Sequence, residues 1–136
     1  MTAGVRASCG VLMLLRADAR EVVASHAAVA RSAIDRAVGL LKYRAMPQEM
    51  ALIFPECSSV HTVGMRFAID LIFINRAWRV VRAEPKVGPG RLIFPVRDAW
   101  AVVEVAAGTI RRLGLAVGDV LGLLPQSVVG KPVGKP

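Results

Sequence analysis

Aromatic residues are scarce in this chain, with four Phe, two Trp and one Tyr making up 5% of 136 residues. Proteins that hold single-stranded nucleic acid lay successive bases on aromatic rings interleaved with basic side chains. Too few rings are present for such a platform, and most of them fall inside apolar runs. Cysteine is scarcer still. Cys9 and Cys57 stand alone, which excludes a disulfide framework and any paired-cysteine zinc motif, and points to reduced thiols in a cytosolic protein. No uninterrupted apolar stretch reaches the ~18–20 residues that a membrane-spanning helix requires. Acidic residues are in deficit, 10 against 18 Lys+Arg for a formal charge of +8, so an acidic solvating protein is excluded and anionic partners stay open. Only four of those 18 are lysines, and the arginines are scattered rather than clustered, which argues against specific nucleic-acid binding.

What is abundant is apolar material. A hydrophobic fraction of 54% beside 21% charged residues supplies enough core for one domain of ordinary size and excludes a disordered chain. The N-terminus resembles a secretion signal only weakly, because its apolar stretch is short and Arg16 and Asp18 crowd the would-be cleavage point. A first strand over Val11–Leu15, turning at Ala17–Arg20 into a second from Val22, explains the same residues better.

Ser32-Ala33-Ile34-Asp35 has the form of a capping box, followed by Ile34, Val38 and Leu41 at helical spacing. A helix is predicted there, ending near Arg44 ahead of Pro47. Strands are then expected at Met50–Phe54, Phe67–Ile74, Trp78–Ala83, Arg91–Phe94, Trp100–Val105 and Val120–Leu123. Asn75-Arg76-Ala77 reads as a tight turn, and Gly108–Leu113 as one helical turn ending at Gly114. The pattern predicts a single mainly-β domain over residues 1–124, a β-sandwich or partly open barrel of about eight short strands with one short helix. The tail Pro125–Pro136, with Gly-Lys-Pro twice, is expected to be disordered.

Four segments carry a resemblance. Gly39-Leu40-Leu41 with Met50-Ala51-Leu52-Ile53-Phe54-Pro55, then His61 to Asp70, then Val103-Glu104-Val105-Ala106-Ala107-Gly108, and finally Leu113-Gly114-Leu115-Ala116-Val117-Gly118-Asp119 follow in the order seen in the domain-of-unknown-function 192 family. The chain resembles that family over roughly residues 22–124. The resemblance implies a compact, mainly β domain, brings no established activity, and implies export as an alternative to the cytoplasm. His61 and Thr62 stand where the family commonly has an aromatic residue and Met, Ala68 replaces its Pro, and Gly64 replaces its Asn. Gly and Asn both tolerate positive φ, so a left-handed turn is predicted at Gly64.

Two acids interrupt apolar runs, Asp70 and Glu104. Each must be hydrogen-bonded, paired or protonated, because a bare buried carboxylate costs several kcal/mol. Should the two converge, they form an acid/base pair; otherwise each is a structural anchor accepting backbone N–H groups or meeting an arginine. Cys57, Ser58, Ser59, His61 and Thr62 make the densest polar segment. A hairpin at Gly64 would place His61 beside Asp70, a workable general-base arrangement. The candidate catalytic residues are therefore His61, Asp70, Cys57 and Glu104, and the candidate ligand-binding residues His61, Thr62, Met65 and Asp70. Cys57 could be a nucleophile activated by His61; Cys57, His61 and Asp70 could bind a transition metal, though with only three ligands and no paired motif; or the cluster could line a binding pocket. No cofactor is expected. A non-catalytic domain binding a small molecule or protein partner is the leading reading. A small hydrolytic or metal-assisted enzyme is the second, and an anion or nucleic-acid binder driven by the +8 charge the third.

Overall fold

The computed structural model describes residues 10–30 and 45–125. Among the described residues, nine strands and one short helix follow in order: β1 (Gly10–Arg16), β2 (Ala19–Val29), β3 (Met50–Pro55), β4 (Val60–His61), β5 (Ile69–Ile74), β6 (Val80–Val87), β7 (Leu92–Ile93), β8 (Ala101–Ala106), α1 (Thr109–Leu113) and β9 (Val120–Pro125). Seven strands form one mixed sheet in the order β6-β5-β8-β3-β2-β1-β9, and β4 pairs with β7 in a separate two-stranded ribbon. Among the described residues, β2 and β3 are the one parallel pair. The predicted helix over 32–44 lies outside the described residues, as does most of the predicted tail. Pro125 is not part of a tail. It closes β9 opposite Gly10.

The sequence explains the middle of the sheet. Every residue of β5 (IDLIFI) and of β8 (AVVEVA) is buried, as expected for strands whose two faces are both covered. Alternation then divides the side chains into two cores. One face carries Leu12, Leu14, Ile53, Ile72, Ile74, Val103, Val105 and Leu121, closed over by Ile110 and Leu115 around α1. The other carries Leu52, Phe54, Ile69, Leu71, Phe73 and Val102, covered by Ile93 and Val96 near the ribbon.

The sheet curls until its two edges meet at one end. Arg79 bridges Val120, the Val80 N–H donates to the Asp119 carbonyl at 2.8 Å, and the Leu121 N–H to the Trp78 carbonyl at 2.8 Å. The Gly118 N–H also donates to the Val80 carbonyl at 2.9 Å, but no strand ladder joins β6 to β9 among the described residues, so the barrel stays open. α1 packs at that end, held by Arg16, whose guanidinium donates to the Leu113 carbonyl at 2.8 Å and to the Gly114 carbonyl at 3.1 Å. These are helix-end carbonyls without intrahelical partners.

The turns follow local chemistry. Asn75 Oδ1 accepts the N–H groups of Ala77 at 2.9 Å and Arg79 at 3.0 Å, which places Trp78 at φ 60. Trp78 therefore ends the turn instead of starting β6. Gly64 has φ 90, the left-handed conformation expected of it. The ninth strand is β4, which at two residues is too short to leave a pattern in the sequence.

Candidate functional site

Asp70 lies on the α1 face of the sheet, in step with Ile72 and Ile74. It is fully buried. Its Oδ1 accepts the Lys86 N–H at 2.8 Å and the Gly108 N–H at 3.2 Å, and its Oδ2 accepts the Ile110 N–H at 2.8 Å. Gly108, the N-cap of α1, has no side chain to cap with; Asp70 supplies the missing acceptor from 38 residues away in sequence. The carboxylate is a structural anchor.

Glu104 is also fully buried, but it points the other way. Its cross-strand partners are Leu52 and Leu71, both members of the second core. The two acids therefore sit on opposite faces of one sheet and cannot form an acid/base pair. The expected pairing of His61 with Asp70 also fails, because β4 pairs with β7 while β5 pairs with β6 and β8. The Gly64 turn leads into a loop and not into a hairpin between β4 and β5.

Thr62 and Met65 have other tasks than those expected. The buried Thr62 hydroxyl donates to the Gly88 carbonyl at 2.6 Å and accepts the Arg91 N–H at 2.8 Å. Its backbone N–H donates to the Arg91 carbonyl at 2.8 Å, and its carbonyl accepts the Gly90 N–H at 2.9 Å. Thr62 thus ties two loops together. Met65 is half-buried against the second core.

What the fold does bring together is His61, Cys57 and Glu104. All three line an open cavity of about 460 Å³ between the ribbon and the sheet. Phe54, Val60, Leu92, Ile93, Phe94, Pro95 and Val102 supply most of the rest of its wall. The floor belongs to β8, which brings Glu104 and Val102. The side wall belongs to the segment Pro55–His61, which leaves β3 through Glu56 at φ 56. That segment is fixed by two backbone bonds, the Cys57 N–H to the Trp100 carbonyl at 3.0 Å and the Val96 N–H to the Ser58 carbonyl at 2.9 Å. Alternation along the ribbon sends Val60 and Ile93 inward and sets His61 opposite Leu92 on the exposed side.

The Cys57 thiol donates to the Ser59 carbonyl at 3.1 Å. Among the described residues no group of three His, Cys, Asp or Glu side chains could hold a metal ion. Cys57, His61 and Asp70 do not meet. The apolar wall from Phe54, Leu92 and Phe94 was missed in the sequence, where all three read as ordinary strand residues. His26 is exposed, with the Ser25 hydroxyl 3.1 Å from its Nδ1.

No helix among the described residues is long and apolar enough to cross a membrane. Among known proteins, the chain is 42% identical over 64 residues to the UPF0127 protein PF1050 of Pyrococcus furiosus, a match covering 47% of this chain and 54% of that relative's length. The chain thus spans about half of that relative. Two crystal structures share the fold at 22% sequence identity. A protein of unknown function from Novosphingobium aromaticivorans has a TM-score of 0.69, with 84% of each chain covered. A Sinorhizobium meliloti protein whose name suggests a transcription regulator has a TM-score of 0.71, covering 86% of this chain and 95% of that one. The profile of the domain-of-unknown-function 192 family, described as an uncharacterized ACR, matches residues 14–123. With the two buried acids, the Gly64 turn and the closing Gly-Asp turn all in place, this chain belongs to the domain-of-unknown-function 192 family.

Proposed function

We propose that the domain binds a small, largely apolar molecule in the cavity between the β4–β7 ribbon and β8. The observation that carries this reading is the composition of the wall. About 460 Å³ lies within the ~300–1,000 Å³ typical of small-molecule sites. Such sites are mostly apolar with a few polar groups, and here His61, Cys57 and Glu104 line the cavity among Phe54, Leu92, Ile93 and Phe94. The ligand that fits carries an apolar body and a hydrogen-bonding end turned toward the imidazole and the carboxylate. Catalysis by Cys57 is the weaker reading, because its proton is engaged by the Ser59 carbonyl and Asp70, which would have oriented His61, is on the other face.

The test is a titration of ¹⁵N-labelled protein with a library of small aromatic and aliphatic fragments. Amide shifts should cluster at Cys57, Ser59, His61 and Phe94. Ser59→Trp, which puts an indole into the cavity from an exposed loop position, should abolish those shifts while the protein stays folded. If no fragment at millimolar concentration shifts these amides, or if Ser59→Trp leaves the shifts intact, the reading is wrong.

A further inference from the structure

We propose that the loop tip beside the cavity docks onto the surface of an anionic lipid bilayer. Three large apolar side chains stand exposed there: Val63 at 60%, Leu92 at 61% and Phe94 at 76%. They are distant in sequence but belong to one place. Thr62 binds the backbone of Gly88, Gly90 and Arg91, which fixes the loop carrying Val63 against the start of β7, and β7 leads through Leu92 to Phe94. Leu92 and Phe94 also edge the cavity, so the rim of its mouth presents an exposed apolar tip, and exposed apolar groups gathered in one patch mark interaction surfaces.

Charge selects the partner. The exposed arginines Arg66, Arg91 and Arg97 lie within three residues of these side chains, against two exposed acids, Asp98 beside Arg97 and Glu56 on the cavity wall that Leu92 and Phe94 share. Exposed apolar side chains with arginines close by in the chain suit an interface where the apolar groups enter the acyl boundary and the guanidinium groups meet anionic headgroups. A basic chain of +8 is drawn to such a surface over a distance set by the ionic strength. The far side of the sheet, around α1, also carries arginines, Arg111 and Arg112, and Arg20 is exposed at the β1–β2 turn. Val22 at 45% and Val117 at 66% are the exposed large apolar residues near those arginines, two valines against the Val63, Leu92 and Phe94 of the tip. The bilayer reading therefore depends on position and not on net charge alone.

The experiment is co-sedimentation of the full chain with vesicles of pure phosphatidylcholine and with vesicles holding 30% phosphatidylserine. Two triple variants, Arg66→Glu/Arg91→Glu/Arg97→Glu at the tip and Arg20→Glu/Arg111→Glu/Arg112→Glu elsewhere, change the net charge equally. Each tip arginine is worth about five-fold in partitioning, so the tip variant should lose at least 100-fold in binding to the phosphatidylserine vesicles. The other variant should lose less than 10-fold. Val63→Asp should also weaken binding by at least ten-fold. Val63, Arg66, Arg91 and Arg97 lie outside the cavity wall described above, so fragment shifts at His61 should survive in all of these variants. Survival separates a failure here from a failure of the cavity reading. Equal losses in the two triple variants would assign the binding to bulk charge and overturn the proposal. So would no binding to phosphatidylserine vesicles at low salt, or retention on duplex DNA lost only in the tip variant while vesicles are ignored.

Discussion

At the scale of single residues, the two buried acids show how one sequence feature serves two ends. Asp70 and Glu104 look alike in the sequence, each a carboxylate within a run of branched apolar residues. The parity of their positions on β5 and β8 assigns them to opposite faces. Asp70 meets three backbone N–H groups and builds the fold, whereas Glu104 faces the cavity. A carboxylate accepting hydrogen bonds in the interior stabilises by about 1.5–3 kcal/mol per bond. Asp70→Asn, which turns one acceptor into a donor facing an N–H, should therefore lower the unfolding free energy by about 3 kcal/mol. Urea denaturation measures this, and the amide shifts caused by cavity fragments should be unchanged in the variant. A loss below 0.5 kcal/mol would remove Asp70 from its anchoring role. Thr62→Val tests the neighbouring tie. It removes a donor and an acceptor from buried loop contacts and should cost about 1–3 kcal/mol, read from the same curves.

At the scale of elements, the strongest constraint is a close approach. A Cβ on Gly10 would lie 2.4 Å from the Leu124 carbonyl oxygen on β9, closer than van der Waals packing allows. Gly10→Ala should therefore loosen the β1–β9 ladder, costing about 1–3 kcal/mol. Hydrogen exchange at the β9 amides should accelerate by more than that at the β5 or β8 amides. Uniform acceleration across the sheet would contradict this placement. The helix end offers a second test. Arg16→Leu removes the donors to the Leu113 and Gly114 carbonyls and should cost about 1 kcal/mol, with α1 amides exchanging first.

Much at this scale was legible in the sequence. The apolar runs of β3, β5 and β8 mark buried strands, Asn75 marks its turn, Gly64 its positive φ and Gly114 the end of α1. What could not be read were elements fixed by distant contacts. β4 is two residues long and exists because Leu92 and Ile93 lie beside it. Trp78 reads as a strand residue from its type, yet the two bonds to Asn75 Oδ1 place it in the turn. The site suffered most from this, since the pairing of His61 with Asp70 required β4 to neighbour β5. Sequence marks turns and burial well, but a two-residue strand carries no signal for its partner.

At the scale of the molecule, a seven-stranded sheet is covered on its two faces by different means. α1 and the curl of β1 and β9 close one side around Asp70, leaving little there but structure. The ribbon covers the other side only in part, and the cavity open beside it is lined by His61, Cys57 and Glu104. This asymmetry separates stability from binding within one short chain. The family was recognisable from four ordered segments, and its profile spans residues 14–123. The choice between a site at Asp70 and a site at Glu104 depends on which face each carboxylate takes. Soaking crystals of the protein in a fragment cocktail and mapping the bound density tests that division most directly. The account predicts density between Phe54, His61, Phe94 and Glu104, with Asp70 still bound to the Gly108 and Ile110 amides. Density confined to other surfaces, or a cavity filled by the chain's own side chains, would contradict it.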